Sequence, residues 1–154
     1  ERVGLAANGA RAFRIYDDVV AWAARTPQGP HSNEKVIDLG WVQSDLARCH
    51  AKLEALNLLN WRMTVDVEQG RLTPERASSV KVYGTESLND VYHALLGVLG
   101  AQAHIRGEGE AALLSGDVEA AGRSNQINTF GGGVNEIQRE IVAMLSLGMP
   151  RAPR

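Results

Sequence analysis

The sequence predicts an all-α protein built as an up-and-down four-helix bundle. Apolar residues recur every three or four positions in four long segments, and alternating strand patterns are nearly absent. The connections between most of these segments are short, so that consecutive helices are expected to pack antiparallel. A chain of 154 residues is long enough for one domain with a sizeable core, and we expect a single domain over residues 1–154.

The first predicted helix covers residues 1–25 and is rich in alanine. Two prolines and a glycine within residues 26–30 end it, and a loop is expected to follow to about Asp38. One face of this helix is marked by Leu5, Phe13, Val20 and Ala24.

The second predicted helix, residues 39–69, has the most regular spacing in the chain. Its apolar residues alternate three and four positions apart, which is typical of a helix packed at a shallow angle in a bundle. Asn60 is the polar member of the series, and Gly70 is well placed to end the helix. The apolar members are Leu39, Val42, Leu46, Cys49, Leu53, Leu56, Met63 and Val67.

The third predicted helix covers residues 74–99. Thr73 is the expected N-cap, Pro74 fits the first helical position, and Glu75 lies in the first turn. Residues 100–133 are less regular, with a short helix predicted around 117–122.

The last predicted helix covers residues 135–147. Gly148 and Pro150 stop it. The residues expected to face inward are Val134, Ile137, Ile141, Met144 and Leu145.

Charge and composition exclude several classes of function. The net charge of -2 and the scattered basic residues argue against nucleic acid as the main partner and against a polybasic membrane patch. No apolar run is long enough to span a bilayer, and no signal peptide is recognised, so we expect a cytoplasmic protein without membrane insertion. The chain opens on Glu1 without an initiator methionine, and we expect it to be a fragment of a longer protein.

No metal site is predicted. Cys49 is the only cysteine and lies in the apolar stripe of the second helix, so we interpret it as a core residue. The four histidines, His31, His50, His93 and His104, are spread along the chain without metal-ligand spacing.

Residues 128–151 carry the most specific motif. A glycine-bearing loop, Thr-Phe-Gly-Gly-Gly-Val, leads into Asn-Glu-Ile-Gln-Arg, and the following helix ends in Leu-Gly-Met-Pro-Arg. This segment resembles the C-terminal signature of the acyl-CoA dehydrogenases, which are flavin enzymes. Glycines allow a backbone to approach a flat ring, and a helix N-terminus presents free N–H groups to polar ligand atoms. The resemblance covers essentially the whole chain, and the alternative for this loop is a glycine-rich helix entry that binds no ligand.

The resemblance also suggests where a catalytic base lies. In this family a glutamate removes the α-proton of the acyl-CoA, and in many members it precedes the glycine of the final loop, where this chain has Gly132. Other members place it on the first helix in a Glu-Arg pair, which Glu1 and Arg2 match. The resemblance therefore implies Glu1 as the candidate base and Arg2, Gly132 and Gly133 as contacts to the acyl-CoA substrate. The alternative for Glu1 is an exposed glutamate without a catalytic role.

The implied contacts to FAD are Arg25, Gly97, Gly100 and Glu136. In many members the arginine that Arg25 matches reaches the FAD pyrophosphate of a neighbouring subunit. Several flavin motifs of the family are altered here: the aromatic residue usual after the first helix is Gln28, and Gly40, Val98 and Val134 also depart from the pattern. Such changes resemble a divergent branch from bacterial steroid and lipid breakdown, in which some enzymes divide their sites between two unlike subunits.

Three functional hypotheses follow. The first is an FAD-dependent acyl-CoA dehydrogenase that desaturates an acyl-CoA thioester and assembles as a homo- or hetero-oligomer through the helical bundle. The second is a non-catalytic partner subunit that completes the flavin site of another chain. The third is a cofactor-free helical interaction bundle.

Overall fold

The computed structural model describes residues 3–107 and 112–151, and within these ranges it contains helices and turns but no β-strand. The all-α prediction is confirmed. Glu1 and Arg2, the predicted base and its neighbour, lie outside the described residues. The five helices are α1 (Val3–Arg25), α2 (Gly40–Glu68), α3 (Pro74–Leu99), α4 (Asp117–Asn125) and α5 (Asn135–Leu147).

Helices α1, α2 and α3 alternate in direction, as predicted. The rings of Phe13 and Tyr16 pack against His50 with centroid distances of 6.4 and 5.8 Å, which sets α1 against α2. At one end of the α2–α3 pair, Arg76 donates to Asp66 at 3.1 Å. Further along the pair, the Cys49 thiol lies 3.9 Å from the Val91 carbonyl oxygen. Because α1 and α3 both run opposite to α2, their C-terminal ends lie at the same end of the bundle.

The fourth member of the bundle is broken into two helices. Helix α4 follows the C-terminal half of α3, where Gly122 lies against Tyr92 and Asn125 donates to Asn89 at 2.7 Å. Helix α5 follows the N-terminal half, where Asn135 contacts Thr85. Both pieces run antiparallel to α3. The predicted four-helix bundle is therefore confirmed in outline, with the short helix expected near residues 117–122 and the last predicted helix together taking the fourth position.

Helix α3 is the central element, since α1, α2, α4 and α5 all contact it. The largest fully buried side chains are aliphatic and come mainly from α1, α2 and α3, so the core lies between these three helices. They include Ile15, Val19, Val42, Leu53, Leu56, Leu88, Val91 and Leu95.

Cys49 is a core residue, as predicted. Its side chain is buried among the aliphatic residues between α2 and α3. Burial raises the pKa of the Cys49 thiol to about 11, because the apolar surroundings disfavour the thiolate. The residue therefore behaves as a small apolar side chain.

The buried face of α1 differs from the prediction by about one position. Ala24 is exposed, whereas Phe13 and Val20 are half-buried at the edge of the core. The alanine-rich sequence gives little contrast between faces, and small residues allow the neighbouring helices to approach this side closely. The fully buried residues are Ala12, Ile15, Val19 and Ala23.

The prediction of which α2 residues face inward is wrong in the last turn of the helix. Val67 is 58% exposed, while Asp66 is buried in its place. The turn between α2 and α3 folds back over Asp66, whose carboxylate accepts from Arg76 and whose carbonyl oxygen accepts from the backbone of Arg71 and Leu72. Hydrogen bonds thus compensate the burial of this carboxylate.

The two fully buried residues of α5 are polar, which contradicts the predicted apolar stripe. Asn135 and Gln138 are buried, whereas Ile137 and Leu145 are 49% and 57% exposed. Val134, Ile141 and Met144 are half-buried. The stripe is rotated because α5 docks on a hydrogen-bonding face of α3, described below. Among the described residues, no helix combines the length and apolar character needed to cross a membrane.

Candidate functional site

The loop between α4 and α5 makes a tight turn that requires glycine. It runs from a short 3-10 helix, Gln126–Thr129, through the exposed Phe130 to the first residue of α5. Gly132 and Gly133 have φ angles of 68° and 100°, in the region that side-chain-bearing residues rarely adopt. The structure therefore explains these two glycines by backbone conformation, in addition to the close ligand approach inferred from sequence.

Gln138 holds the Gly132 side of this turn. Its side-chain amide donates to the Gly132 carbonyl oxygen at 3.1 Å. An ideal Cβ placed on Gly133 would lie only 2.6 Å from the same Nε2 atom. A side chain at position 133 would therefore displace Gln138 and break its hydrogen bond.

Lys81 of α3 lies beneath the loop and is buried. Its ammonium donates to the carbonyl oxygens of Thr129 and Gly133 at 3.0 and 2.7 Å, and to Oδ1 of Asn135 at 2.6 Å. Burial lowers the pKa of Lys81, and the nearby carboxylates of Glu136 and Glu86 partly oppose that shift.

Sequence reasoning missed Lys81. It lies four residues after Ala77 and seven before Leu88, on the face of α3 that is otherwise buried. A lysine at a helical position that is otherwise apolar indicates a buried group with hydrogen-bonding partners, because lysine is rarely buried without them. Its partners could not be inferred from that signal alone.

Asn135, the first residue of α5, joins Lys81 to a wider polar network. Its Nδ2 donates to Thr85 Oγ1 at 3.0 Å and to Glu86 Oε1 at 2.9 Å. Arg139 donates to the other carboxylate oxygen of Glu86 at 2.6 Å. The Arg139 hydrogen bond, followed by that from Asn135, holds the pKa of Glu86 below its usual range. This network, Lys81, Thr85, Glu86, Asn135 and Arg139, is called the α3–α5 polar seam below.

The predicted residue Glu136 lies beside Asn135 in the first turn of α5 and is exposed. The first N–H groups of a helix have no carbonyl partner within it, and the helix dipole makes this end positive. Glu136, Gly132 and Gly133 are thus brought together at one end of α5.

The other predicted cofactor residues lie at a different place. Arg25 is the exposed last residue of α1, and Gly97 and Gly100 lie at the C-terminal end of α3, which is the same end of the bundle. Twelve residues of α3 separate Thr85 from Gly97, or about 18 Å at the rise of an α-helix. The predicted site residues therefore form two separate patches along α3 within the described part of the chain.

Both patches have features that fit an extended cofactor. A Cβ added at Gly97 or Gly100 would meet no heavy atom within 4 Å, so the backbone there is open to a flat or extended group. Gly100 has a φ of 76°, and Arg25 supplies a cation of the kind that phosphate groups need. The glycine loop supplies the turn and the positive helix end at the other patch. Each patch therefore has residues that would fit a contact to FAD. Within residues 3–107 and 112–151, no group of three His, Cys, Asp or Glu side chains could hold a metal ion.

Comparison with known families identifies the domain. The family model described as acyl-CoA dehydrogenase, C-terminal domain, matches residues 1–147. The chain belongs to the acyl-CoA dehydrogenase family. As a member it contributes the family's helical C-terminal domain, in which the motif of residues 128–151 forms the glycine loop and α5.

Two relatives from Mycobacterium tuberculosis (strain ATCC 25618 / H37Rv) match the whole of this chain. The protein named acyl-CoA dehydrogenase FadE26 is 42% identical, and acyl-CoA dehydrogenase FadE29 is 34% identical. The chain spans 38% of the length of each of these acyl-CoA dehydrogenases.

Solved structures give the same fold over nearly the whole chain. A structure described as the Tcur3481–Tcur3483 steroid ACAD is 51% identical and superimposes with a TM-score of 0.88, covering 99% of this chain and 38% of that one. The ChsE4–ChsE5 complex from Mycobacterium tuberculosis is 43% identical with a TM-score of 0.85, covering 94% of this chain and 37% of that one.

Proposed function

We propose that the protein containing this domain is an FAD-dependent acyl-CoA dehydrogenase that introduces an α,β double bond into an acyl-CoA thioester. The observation that carries the proposal is the glycine loop leading into α5, because the family signature occurs there in one continuous register. Membership of the acyl-CoA dehydrogenase family supports the proposal over the cofactor-free bundle. The protein is proposed to work in the cytoplasm.

The proposed reaction removes one proton and one hydride from the substrate. Glu1 takes the proton from the α-carbon as general base. FAD, when bound, supplies the chemistry that accepts the hydride leaving the β-carbon. Arg2 contacts the substrate beside Glu1, and Gly132 and Gly133 border the thioester without contributing a carboxylate.

The proposed cofactor contacts follow the two patches described above. Arg25 would contact the FAD pyrophosphate of a neighbouring subunit, and Gly97 and Gly100 would lie near the adenine half of FAD. Glu136 would lie with the glycine loop beside the flavin. The two patches lie about 18 Å apart along α3, so they are proposed as separate sets of contacts.

A second candidate is a partner subunit in a heteromeric enzyme, and specific observations favour it. Position 132 has no carboxylate, and the motif departures at Gln28 and Val134 concern flavin contacts. Two similar solved structures bear paired names, Tcur3481–Tcur3483 and ChsE4–ChsE5, and the former is described as a steroid ACAD. We therefore propose a hetero-oligomer and a steroid-derived acyl-CoA as the substrate class to test first.

Flavin content separates the two candidates. The full-length protein is purified alone and after co-expression with a second chain of the same family. A yellow protein when purified alone supports the catalytic subunit, whereas colour that requires the second chain supports the partner subunit. Absence of flavin in both preparations contradicts the proposed function.

The role of Glu1 is tested by Glu1→Gln in the flavin-loaded enzyme. Glutamine keeps the shape and removes the base, so the rate of single-turnover flavin bleaching by an acyl-CoA should fall about a hundredfold to ten-thousandfold. Flavin content should change little, because the side chain stays polar and similar in size. Placing glutamate at Gly132 in this variant tests whether that position faces the same α-carbon. Bleaching of Glu1→Gln at the wild-type rate would show that the base lies elsewhere.

A further inference from the structure

Lys81 is a buried ammonium whose three hydrogen-bond partners are neutral oxygens. They are the carbonyl oxygens of Thr129 and Gly133 and the side-chain oxygen of Asn135, at 3.0, 2.7 and 2.6 Å. A methionine would fill a similar volume without the cost of removing a charge from water. Core packing therefore does not explain a lysine at this position.

The three acceptors lie on both sides of the glycine turn. Thr129 precedes Phe130 and the glycines, whereas Gly133 and Asn135 follow them. A single amino group on the rigid helix α3 therefore ties together the two ends of the turn. The two ends of the turn, at residues 129 and 133, cannot separate without breaking at least one of these bonds.

Holding these carbonyl groups inward also orients the neighbouring amides. In a trans peptide the C=O of one residue and the N–H of the next point in opposite directions. Lys81 holds the Gly133 carbonyl, and Gln138 holds the Gly132 carbonyl. The N–H groups of Val134 and Gly133 are consequently directed away from these side chains, alongside the positive end of α5.

We propose that Lys81 is a positioning residue that holds the glycine loop in the shape needed for binding and reaction at the flavin and thioester. This inference rests on the proposed function, because the loop matters for catalysis only if it borders those groups. Lys81 acts through the carbonyl groups of the loop and does not itself contact substrate.

The test compares Lys81→Met with wild type in the full-length protein, with its partner chain if flavin binding requires one. Methionine keeps the length of the side chain and removes all three donors. The matched control is Lys52→Met, which removes a lysine that pairs with Asp90 across α2 and α3, away from the loop. Two quantities are measured: the single-turnover rate constant of flavin bleaching, which does not depend on the fraction of active enzyme, and amide hydrogen exchange of residues 129–135.

Lys81→Met should lower the bleaching rate constant about 10- to 100-fold, since small displacements of reacting groups have effects of that size. Exchange of residues 129–135 should accelerate relative to α1 and α2, while Lys52→Met stays within about twofold of wild type in both measurements. The proposal is overturned if Lys81→Met bleaches within twofold of wild type, if loop exchange is unchanged, or if Lys52→Met has the same effect. If the wild-type protein holds no flavin, the proposed function fails separately, and the exchange comparison still decides whether Lys81 holds the loop.

Discussion

At the scale of single residues, Gly133 is the position where backbone and side-chain constraints coincide. Its φ of 100° disfavours any L side chain, and a Cβ there would reach Nε2 of Gln138 at 2.6 Å. Gly133→Ala should destabilise this chain by about 2 kcal/mol, from the strained backbone and the displaced hydrogen bond. Urea unfolding followed by circular dichroism measures the effect.

Gly131 offers the matched control for that substitution. A Cβ at Gly131 would meet only the Ile127 carbonyl oxygen, at an ordinary 3.7 Å. Gly131→Ala should therefore change the free energy of unfolding by less than about 0.5 kcal/mol. Equal losses for the two variants would show that the conformation of Gly133 is not what limits substitution in the loop.

Cys49 should be chemically inert in the folded protein. With a thiol pKa of about 11, only about one molecule in a thousand carries a thiolate at pH 8, and burial blocks the reagent as well. A thiol-specific reagent at pH 8 should label Cys49 only after urea unfolds the chain. Labelling of the native protein at the rate of an exposed cysteine would contradict the core assignment.

At the scale of secondary-structure elements, the α3–α5 polar seam determines how α5 is held. Asn135 is its buried centre, since it bonds Lys81, Thr85 and Glu86. Asn135→Ala removes these bonds and leaves a buried ammonium short of a partner, so we expect a loss of about 2–3 kcal/mol. Arg139→Ala should have a smaller effect, because its ion pair with Glu86 is exposed to solvent.

Hydrogen exchange of α5 distinguishes these variants best. Asn135→Ala should accelerate exchange throughout α5 while α1 and α2 remain protected, because the seam joins α5 only to α3. Ser146→Ala, at an exposed position in the last turn of α5, serves as the control. A uniform acceleration over all helices would indicate loss of global stability rather than release of α5.

The elements themselves were well predicted from the sequence, because their ends carry local signals. Pro74 begins α3, and Gly148, with a φ of 63°, ends α5 as expected. The orientation of α5 was not predictable, because its exposed apolar side chains and buried amides reverse the usual pattern. For the candidate site, Gly132, Gly133 and Glu136 were identified by their motif, whereas Lys81 depends on partners 48 to 54 positions away. Hydrogen bonds between residues so far apart in the chain produce no regular spacing that could be recognised in the sequence.

At the scale of the whole molecule, several large apolar side chains of this chain are exposed to solvent. On α2, Leu58 and Trp61 are 65% and 66% exposed, beside a groove of about 510 Å³ between α1 and α2. On α5, Leu145 and Leu147 are also exposed. Exposed apolar patches of this kind mark surfaces that pack against other protein segments.

The chain in isolation should therefore self-associate, and sedimentation velocity over a range of concentrations would detect it. Replacing Leu58 and Trp61 together by lysine should shift the chain toward monomer, if the α2 surface contributes to association. Gln102→Lys, at an exposed polar position, should leave the association unchanged. A wild-type chain that stays monomeric at high concentration would contradict the prediction.

The break between α4 and α5 matters for the candidate site but not for the packing of the bundle. In a continuous helix each backbone N–H and C=O is used by the helix itself, whereas the interruption at residues 130–134 releases several of these groups. If alanines at positions 131–133 allowed α4 and α5 to form one continuous helix, the chain would still have four long helices around the same core. Such a protein would keep the helical bundle while losing the glycine loop, so the packing of the fold does not depend on the loop.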